Sequence, residues 1–289
     1  MERIKTSQKD FIARIGKLSF LLPVFFAILI ALLCSQLVLF SQVENKIAKF
    51  LFEGYSEVFV ALIISVIVIL SSISLMIFFR LLKTRKNLAT RILVATFIMG
   101  GMLSTLLFAK HLFVLLKLES PLFLLIVAFV AYIGSYFAYL AFVEALSDRL
   151  RNLLFLLCSG TLGAFLGVLV PTLPVIGISL LFSLIDTILI SRSTLEKIVG
   201  KREYQKMIMN VAFLSKEWGI GIGDLTIFSM IVANSSVSYG VLVGSLSLLL
   251  ILAGSLLSLL LMMRMVRIPG LPISTALGLS PSILLLLYS

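Results

Sequence analysis

The sequence is dominated by apolar runs of about 20 residues, each separated from the next by a short polar segment. Because about 20 apolar helical residues span the hydrocarbon core of a bilayer, these runs predict an all-α integral membrane protein with nine transmembrane helices. The chain of 289 residues is 61% apolar and 13% charged, which excludes a soluble enzyme, a disulfide scaffold and a disordered tail. The expected spans are residues 18–40, 58–82, 91–109, 121–146, 153–170, 172–191, 219–236, 240–262 and 270–288.

Positive charge alternates between successive loops. The N-terminus and the segments before the third, fifth, seventh and ninth spans hold 20 of the 24 Lys and Arg residues, and the other loops hold four. Because cytoplasmic loops are enriched in Lys and Arg, we expect a cytoplasmic N-terminus and an external C-terminus. This orientation accounts for the net charge of +11, so no nucleic-acid partner is expected.

We expect a single membrane domain over residues 1–289, composed of two parts. Residues 18–170 form an N-terminal bundle of helices 1–5, and residues 171–289 form a second part of helices 6–9. The longest loop, 192–218, is expected to be cytoplasmic. Four of its apolar residues recur at helical spacing, which predicts a short amphipathic helix in the membrane interface. They are Met207, Val211, Leu214 and Trp218.

Two glycine pairs match the G-x-x-x-G pattern of closely packed membrane helices. Gly163 and Gly167 form the first pair, and Gly240 and Gly244 form the second. We expect both pairs to let helices approach closely, with no further role.

The cysteines and the single histidine exclude several chemistries. Cys34 and Cys158 lie inside apolar runs and are expected to be inert core residues. No spacing typical of metal ligands is present, so neither a metal nor another cofactor is expected. A zinc protease of the H-E-x-x-H type needs two histidines, whereas this chain has only His111. With no G-x-S-x-G turn for a serine nucleophile, His111 is expected to lie at the membrane interface.

Two carboxylates within the spans carry the main functional hypothesis. Asp186 and Asp224 are the only acidic residues flanked by apolar sequence inside spans. An intramembrane carboxylate costs at least about 2.5–3.5 kcal/mol and is therefore a functional candidate. Each lies about six residues, or roughly 9 Å, from the cytoplasmic end of its helix. Because the two helices are consecutive and antiparallel, the two carboxylates are expected at matching depth.

Paired carboxylates in a poorly hydrated site cannot both ionise, so they share a proton and titrate as a unit. Aspartic proteases use such a pair, in which one carboxylate accepts a proton from the attacking water and the other donates to the carbonyl oxygen. A proton- or ion-coupling site would also use two membrane acids. Charge and depth alone leave protease and transporter open.

Local sequence around the acids favours the protease. Glycine occupies every second position before Asp224, at residues 219, 221 and 223. A backbone without side chains at these positions can pair with a substrate helix that has locally unwound. The simpler interpretation of these glycines is tight helix packing. A segment with two prolines, at the same expected depth, distorts the start of the last span and leaves carbonyls free. The candidate substrate-binding residues are Gly221, Ile222, Gly223, Pro269, Gly270, Leu271 and Pro272.

Together these residues resemble the presenilin and signal peptide peptidase family of intramembrane aspartyl proteases. Residues 221–224 match the family's G-x-G-D motif, and residues 269–272 match its P-A-L-P motif with glycine in place of alanine. The other family aspartate follows a tyrosine, whereas here Asp186 follows Ile185. The resemblance is strongest over residues 172–288.

The resemblance implies an intramembrane aspartyl endopeptidase with Asp186 and Asp224 as the catalytic pair and no cofactor. The charge pattern agrees with the orientation of presenilins, which implies multi-pass localisation in the cell membrane. Substrates would be transmembrane proteins whose N-terminus lies outside. The short loops make the chain most similar to an archaeal homologue that acts without accessory subunits.

Two alternatives remain open. A prepilin-type leader peptidase also has a G-x-G-D element, but that group usually carries a lysine two residues after the aspartate, where this chain has Thr226. An ion channel or proton-coupled transporter would use the same acids, although transporters often show internal repeats and midplane sites. No repeat is evident here, and the acids lie toward one face.

Overall fold

The computed structural model describes residues 21–41, 80–81, 84–117, 120–191, 211–214, 219–262 and 270–288. These residues form eight long helices and one two-stranded sheet. In chain order the elements are α1 (Leu21–Ser41), α2 (Lys86–Leu115), α3 (Ser120–Phe142), α4 (Asp148–Leu169), α5 (Thr172–Ser191), β1 (Ala212–Leu214), β2 (Gly219–Gly221), α6 (Ile222–Tyr239), α7 (Val241–Met262) and α8 (Leu271–Tyr288).

Six of these helices, α1 to α4, α7 and α8, are long and apolar enough to cross a membrane. Helix α5 contains a shorter apolar segment, Thr172–Ile188. The predicted helical membrane fold is therefore confirmed at this level. The second expected span, 58–82, lies almost entirely outside the described residues, and the count of nine and the sidedness stay predictions.

Most helix bounds agree with the expected spans, and the differences have local causes. Helix α2 extends beyond the expected 91–109 because a second apolar stretch continues it to Leu115. Helix α3 ends at Phe142 instead of 146, because the chain turns at Glu144. Helix α6 begins three residues later than expected, since residues 219–221 form a strand.

Helix α6 is the centre of the bundle and packs against α1, α4, α5, α7 and α8. Its contact with α4 depends on Gly163 and Gly167. A Cβ atom at either position would collide with a backbone carbonyl of α6, that of Thr226 or Met230. The predicted close packing of this pair is confirmed, and it joins the N-terminal bundle to the helix that carries Asp224.

The second glycine pair behaves differently at its two positions. Gly244 packs closely, since a Cβ there would lie 2.6 Å from the Cβ of Ser236 on α6. Gly240 instead ends α6 with a φ of 95°, and a Cβ there would meet no atom within 4 Å. The packing prediction for Gly240 is therefore wrong, because this glycine is needed for its left-handed turn conformation.

The predicted amphipathic helix in the loop 192–218 is wrong at residues 212–214, although Val211 is helical. Ala212, Phe213 and Leu214 form β1, which pairs antiparallel with β2 in the register Ala212 to Gly221. Alternating glycines give the β2 segment poor helix propensity, and pairing provides hydrogen-bond partners for both backbones. The predicted all-α fold class is therefore incomplete, because the structure also contains a short two-stranded sheet. Met207 and Trp218 lie outside the described residues.

The two cysteines and His111 are buried. Cys34 and Cys158 are free thiols in apolar clusters, which confirms their prediction as core residues. His111 lies one turn before the end of α2, and its Nδ1 is 2.6 Å from the Oγ of Ser41 at the end of α1. Its ring is only 2% exposed, so it serves as a polar contact between these two helix ends.

Candidate active site

Asp224 is the third residue of α6 and follows β2 directly. A carboxylate in the first turn of a helix is stabilised by the helix dipole. Gly221, the residue before α6, has extended backbone geometry, and a Cβ built on it would lie 3.3 Å from Oδ2 of Asp224. The glycine therefore leaves the carboxyl group uncrowded.

Asp186 lies on α5, five residues before that helix ends at Ser191. Its carboxyl group is half-buried, and its Oδ2 accepts a hydrogen bond from the backbone N–H of Leu271 at 3.4 Å. Leu271 is the first residue of α8, where backbone N–H groups have no partner within their own helix. Asp186 thus supplies an acceptor at the start of α8.

The two aspartates are close enough to interact electrostatically. They come from consecutive helices, α5 and α6, which pack against each other. Asp224 is half-buried, as Asp186 is, and the hairpin and the start of α8 lie beside them. The fold therefore brings together the two carboxyl groups that the sequence singled out.

A small cavity of about 30 Å³ lies against Asp224. This volume is sufficient for a water molecule. Its lining comes from α1, β2, α6, α7 and the residue before α8. The lining residues are Val24, Ile220, Asp224, Phe228, Ser255, Ser258 and Gly270.

Three serines hold the backbone at the start of α8. The hydroxyls of Ser258 on α7 and Ser274 on α8 each donate to the carbonyl oxygen of Gly270 at 3.3 Å. Ser255, one turn before Ser258, lies 3.2 Å from the hydroxyl of Ser274. The peptide group between Gly270 and Leu271 is thereby held at its carbonyl by serines and at its N–H by Asp186.

These serines are part of the site that sequence reasoning missed. Ser255 and Ser258 are three residues apart in an otherwise apolar helix, so they lie on one helix face. That spacing was the available signal. Within a membrane, serine also commonly serves helix packing, so this spacing alone does not indicate a functional site.

The predicted substrate-binding residues lie in different surroundings. Gly223 is exposed, and a Cβ there would meet no atom within 4 Å; the same open space surrounds Gly270. Ile222 is buried in a cluster with Phe155 of α4. Pro272 is half-buried in the first turn of α8.

Leu271 is also buried, and it contributes its backbone N–H to the site. Pro269 lies outside the described residues. Among the residues that the structure describes, no group of three or more His, Cys, Asp and Glu side chains is placed to hold a metal ion. What these residues do with a substrate stays a prediction.

Comparison with known proteins supports the fold. No protein-family model matches the sequence, and no curated protein matches it. A solved structure of a presenilin family intramembrane aspartate protease is similar over 94% of this chain and 99% of that chain. The TM-score is 0.57 and the sequence identity is 16%.

The chain has the fold of a presenilin family intramembrane aspartate protease. The resemblance that the G-x-G-D and P-x-L-P motifs indicated is thus confirmed as a structural likeness. The likeness covers nearly the whole chain, including the first four described helices, for which the motifs gave no information. The presenilin-like fold places Asp186 and Asp224 on neighbouring helices of one bundle.

Proposed function

We propose that the protein is an intramembrane aspartyl endopeptidase that hydrolyses peptide bonds in transmembrane segments of substrate proteins. It would act as a multi-pass protein of the cell membrane, with Asp186 and Asp224 as the catalytic pair. The observation that carries this proposal is the position of these two carboxyl groups on neighbouring, packed helices of the bundle, with Asp186 bonded to the start of α8. The presenilin-like fold supports the same kind of activity.

The proposed reaction uses one ionised and one protonated carboxyl group. Two like charges this close in a poorly hydrated site favour a shared proton. The ionised carboxylate takes a proton from a water molecule as its oxygen attacks the peptide carbonyl carbon. The protonated partner donates its proton to the carbonyl oxygen as negative charge develops there.

Collapse of the resulting tetrahedral intermediate breaks the C–N bond. A proton passes from the carboxyl groups to the leaving nitrogen, and a second proton returns to the carboxyl pair from the intermediate. The products are a new carboxyl terminus and a new amino terminus. The pair regains its single shared proton, so no cofactor is consumed.

Substrate binding is proposed for the backbone on both sides of the carboxyl pair. A substrate helix must unwind to expose its peptide bond, and the freed N–H and C=O groups then need partners. Gly221, Ile222 and Gly223 provide a bare backbone next to Asp224 on one side. Residues 269–272 provide the second side, beside Asp186.

The charge pattern gives this chain a presenilin-like orientation, and the resemblance to presenilins implies substrates whose N-terminus lies outside. The chain would act without accessory subunits. A detergent-purified preparation of the single chain is therefore the appropriate material for a test, with a synthetic transmembrane peptide as substrate.

The decisive experiment compares Asp186→Asn and Asp224→Asn with the unmodified protein. Cleavage fragments of the peptide are measured by mass spectrometry. Since acid–base groups contribute about 10²- to 10⁴-fold to rate, each variant should lose at least about 100-fold in activity. Thr96→Val is a matched control, because within the described part of the chain the Thr96 hydroxyl bonds only to carbonyls of its own helix.

Fold is checked in each variant by gel filtration and thermal unfolding. Correctly folded Asp→Asn variants that cleave as fast as the unmodified protein would refute the assignment. Ion flux in liposomes without proteolysis would favour a transporter, and cleavage restricted to leader peptides would favour the prepilin-type activity.

A further inference from the structure

A second cavity, separate from the aspartate site, lies where α3 ends and α4 begins. Its volume is about 250 Å³, and its walls come from α2, α3, α4 and the connecting turn. Val94 and Ala141 form apolar parts of the wall. Thr90 and Leu146 also line it, and the lining includes four charged side chains: Arg91, Glu144, Asp148 and Arg151.

Arg151 is the least exposed of these four charged side chains. Its Nη2 donates to Oδ1 of Asp148 at 2.8 Å, and its side chain is only 15% exposed. Its Nε is enclosed by protein atoms and has no hydrogen-bond partner among the described residues. A buried donor that stays unsatisfied is costly, and guanidinium groups match the oxygens of phosphate well. Arg151 lines the cavity, so its guanidinium provides a deep positive charge there for an anionic oxygen.

Glu144 occupies a backbone position that glycine usually takes. The N–H of Glu144 donates to the carbonyl of Ala141, and the N–H of Ala145 donates to that of Leu140, which is a Schellman motif at the end of α3. The φ of Glu144 is 61°, a left-handed conformation that L side chains rarely adopt. The sequence keeps a carboxylate here despite this backbone strain.

The Glu144 carboxylate bonds to another side chain of the cavity lining. Its Oε1 accepts from Nε of Arg91 at 2.8 Å. The carboxylates of Glu144 and Asp148 are the outer charges, since their side chains are 47% and 82% exposed. The guanidinium of Arg151 lies deeper. The cavity thus has positive charge inside, and its rim has a net negative charge, because Arg91, 36% exposed, is paired with Glu144 and leaves Asp148 as the excess charge.

This arrangement complements a zwitterion whose anionic group enters first. A purely anionic headgroup would meet two carboxylates at the rim, whereas a phosphate with an attached ammonium satisfies both layers of charge. The cavity lies at helix ends, where a bilayer places its headgroups. Val143 and Leu153, which are close in sequence to Glu144 and Arg151, are exposed apolar side chains, at 50% and 53%, against which acyl chains can pack.

We propose that this cavity binds the phosphate–ammonium headgroup of a membrane phospholipid of the phosphatidylethanolamine type. The phosphate accepts hydrogen bonds from Arg151, and the ammonium lies between Glu144 and Asp148. The apolar wall of the cavity belongs to the same cluster as Ile222, the residue that begins α6 two positions before Asp224. Binding at this site does not depend on the proposed protease activity.

The test is native mass spectrometry of delipidated, detergent-purified protein titrated with phosphatidylethanolamine. Phosphatidylglycerol, phosphatidylcholine and free phosphoethanolamine are titrated in parallel. The unmodified protein should bind phosphatidylethanolamine most tightly. Arg151→Gln should weaken this binding about tenfold, as expected for loss of a charge-assisted hydrogen bond. Glu144→Gly should also weaken binding.

Glu144→Gly keeps the proposal testable if Arg151→Gln fails to fold, because glycine relieves the left-handed backbone at position 144. Its melting temperature should be unchanged or higher while its lipid affinity falls. Lys117→Gly is the matched control: Lys117 also has a positive φ, 52°, but lies at the end of α2. That control should gain the same backbone relief and keep the affinity of the unmodified protein.

Two results would overturn the proposal. One is equal lipid affinity in the unmodified protein, Glu144→Gly and every folded Arg151 variant. The other is tighter binding of phosphatidylglycerol than of phosphatidylethanolamine. Competition by free phosphoethanolamine at the same concentration as the lipid would overturn the lipid assignment and make the soluble headgroup the ligand.

Discussion

Oδ2 of Asp186 accepts a hydrogen bond from the backbone N–H of Leu271, with 3.4 Å between donor and acceptor. The preceding carbonyl, that of Gly270, accepts from the hydroxyls of Ser258 and Ser274. One peptide group is therefore held at both ends, by a candidate catalytic acid and by serines of α7 and α8. The position of Asp186 depends on how firmly that peptide group is held.

Ser258→Ala should slow proteolysis without unfolding the protein. A neutral hydrogen bond contributes about 0.5–1.5 kcal/mol, so its loss at a positioning group should lower kcat about two- to tenfold. Ser280→Ala is the control, because the Ser280 hydroxyl donates only to the Leu277 carbonyl of its own helix. Kinetics on the transmembrane peptide separate kcat from KM, and an unchanged kcat in Ser258→Ala would refute a positioning role.

Gly221→Ala should reduce activity more than it reduces stability. A methyl group there would lie 3.3 Å from Oδ2 and 3.4 Å from Cγ of Asp224, so the carboxyl group must shift by a few tenths of an ångström. The backbone φ of −61° is compatible with alanine, so the fold should persist. A displaced catalytic group lowers the rate markedly, and we expect at least about a tenfold loss in kcat.

Gly177→Ala on α5 is the matched glycine control. A Cβ at Gly177 would meet no atom within 4 Å, and alanine favours a helix interior over glycine by about 0.5–1 kcal/mol. Its activity should be unchanged and its melting temperature unchanged or higher. Equal loss of activity in both alanine variants would argue against specific crowding of Asp224.

The sequence was informative about the aspartates because burying a charge in lipid is costly. That cost singled out Asp186 and Asp224. Their equal depth stays a prediction, since Asp186 lies five residues from the end of α5 and Asp224 lies two residues from the start of α6. Apolar run length also located α1, α5, α7 and α8 to within a few residues. These are properties that each segment carries by itself.

The hairpin and the serine contacts are not such local properties. Ala212 to Leu214 pair with residues 219–221, and the pairing rather than the side-chain spacing determines their conformation. Ser258 on α7 bonds to Gly270, the residue before α8. Leu271 bonds to Asp186, which is 85 residues away in the sequence. Hydropathy does not encode such contacts, because they depend on how the helices pack.

Gly163→Ala should destabilise the bundle by separating α4 from α6. The added methyl group would collide with the Thr226 carbonyl oxygen and would lie 2.5 Å from the Cβ of Ser229. Overpacking of this kind costs about 1–3 kcal/mol in the free energy of unfolding. Because Thr226 is two residues after Asp224, activity should fall as well.

Gly100→Ala provides the comparison for that measurement. A Cβ at Gly100 would lie 3.8 Å from a Leu162 methyl carbon, which is an ordinary van der Waals distance. Unfolding in mixed detergent should show this variant to be as stable as the unmodified protein or more so. Stability loss of the same size at both glycines would contradict the proposed role of close α4–α6 contact.

Gln36 and Ser236 should show measurable coupling across the α1–α6 interface. Nε2 of Gln36 donates to Oγ of Ser236 at 2.6 Å, and Ser236 is fully buried. Gln36→Met, Ser236→Ala and the double variant form a cycle that isolates this hydrogen bond. Polar contacts between membrane helices average about 0.6 kcal/mol and reach about 1.7 kcal/mol, because the unfolded chain also finds partners in the membrane. Unfolding of the four proteins in mixed detergent should give a coupling free energy in that range. Additive effects of the two substitutions would show that the hydrogen bond contributes no net stability.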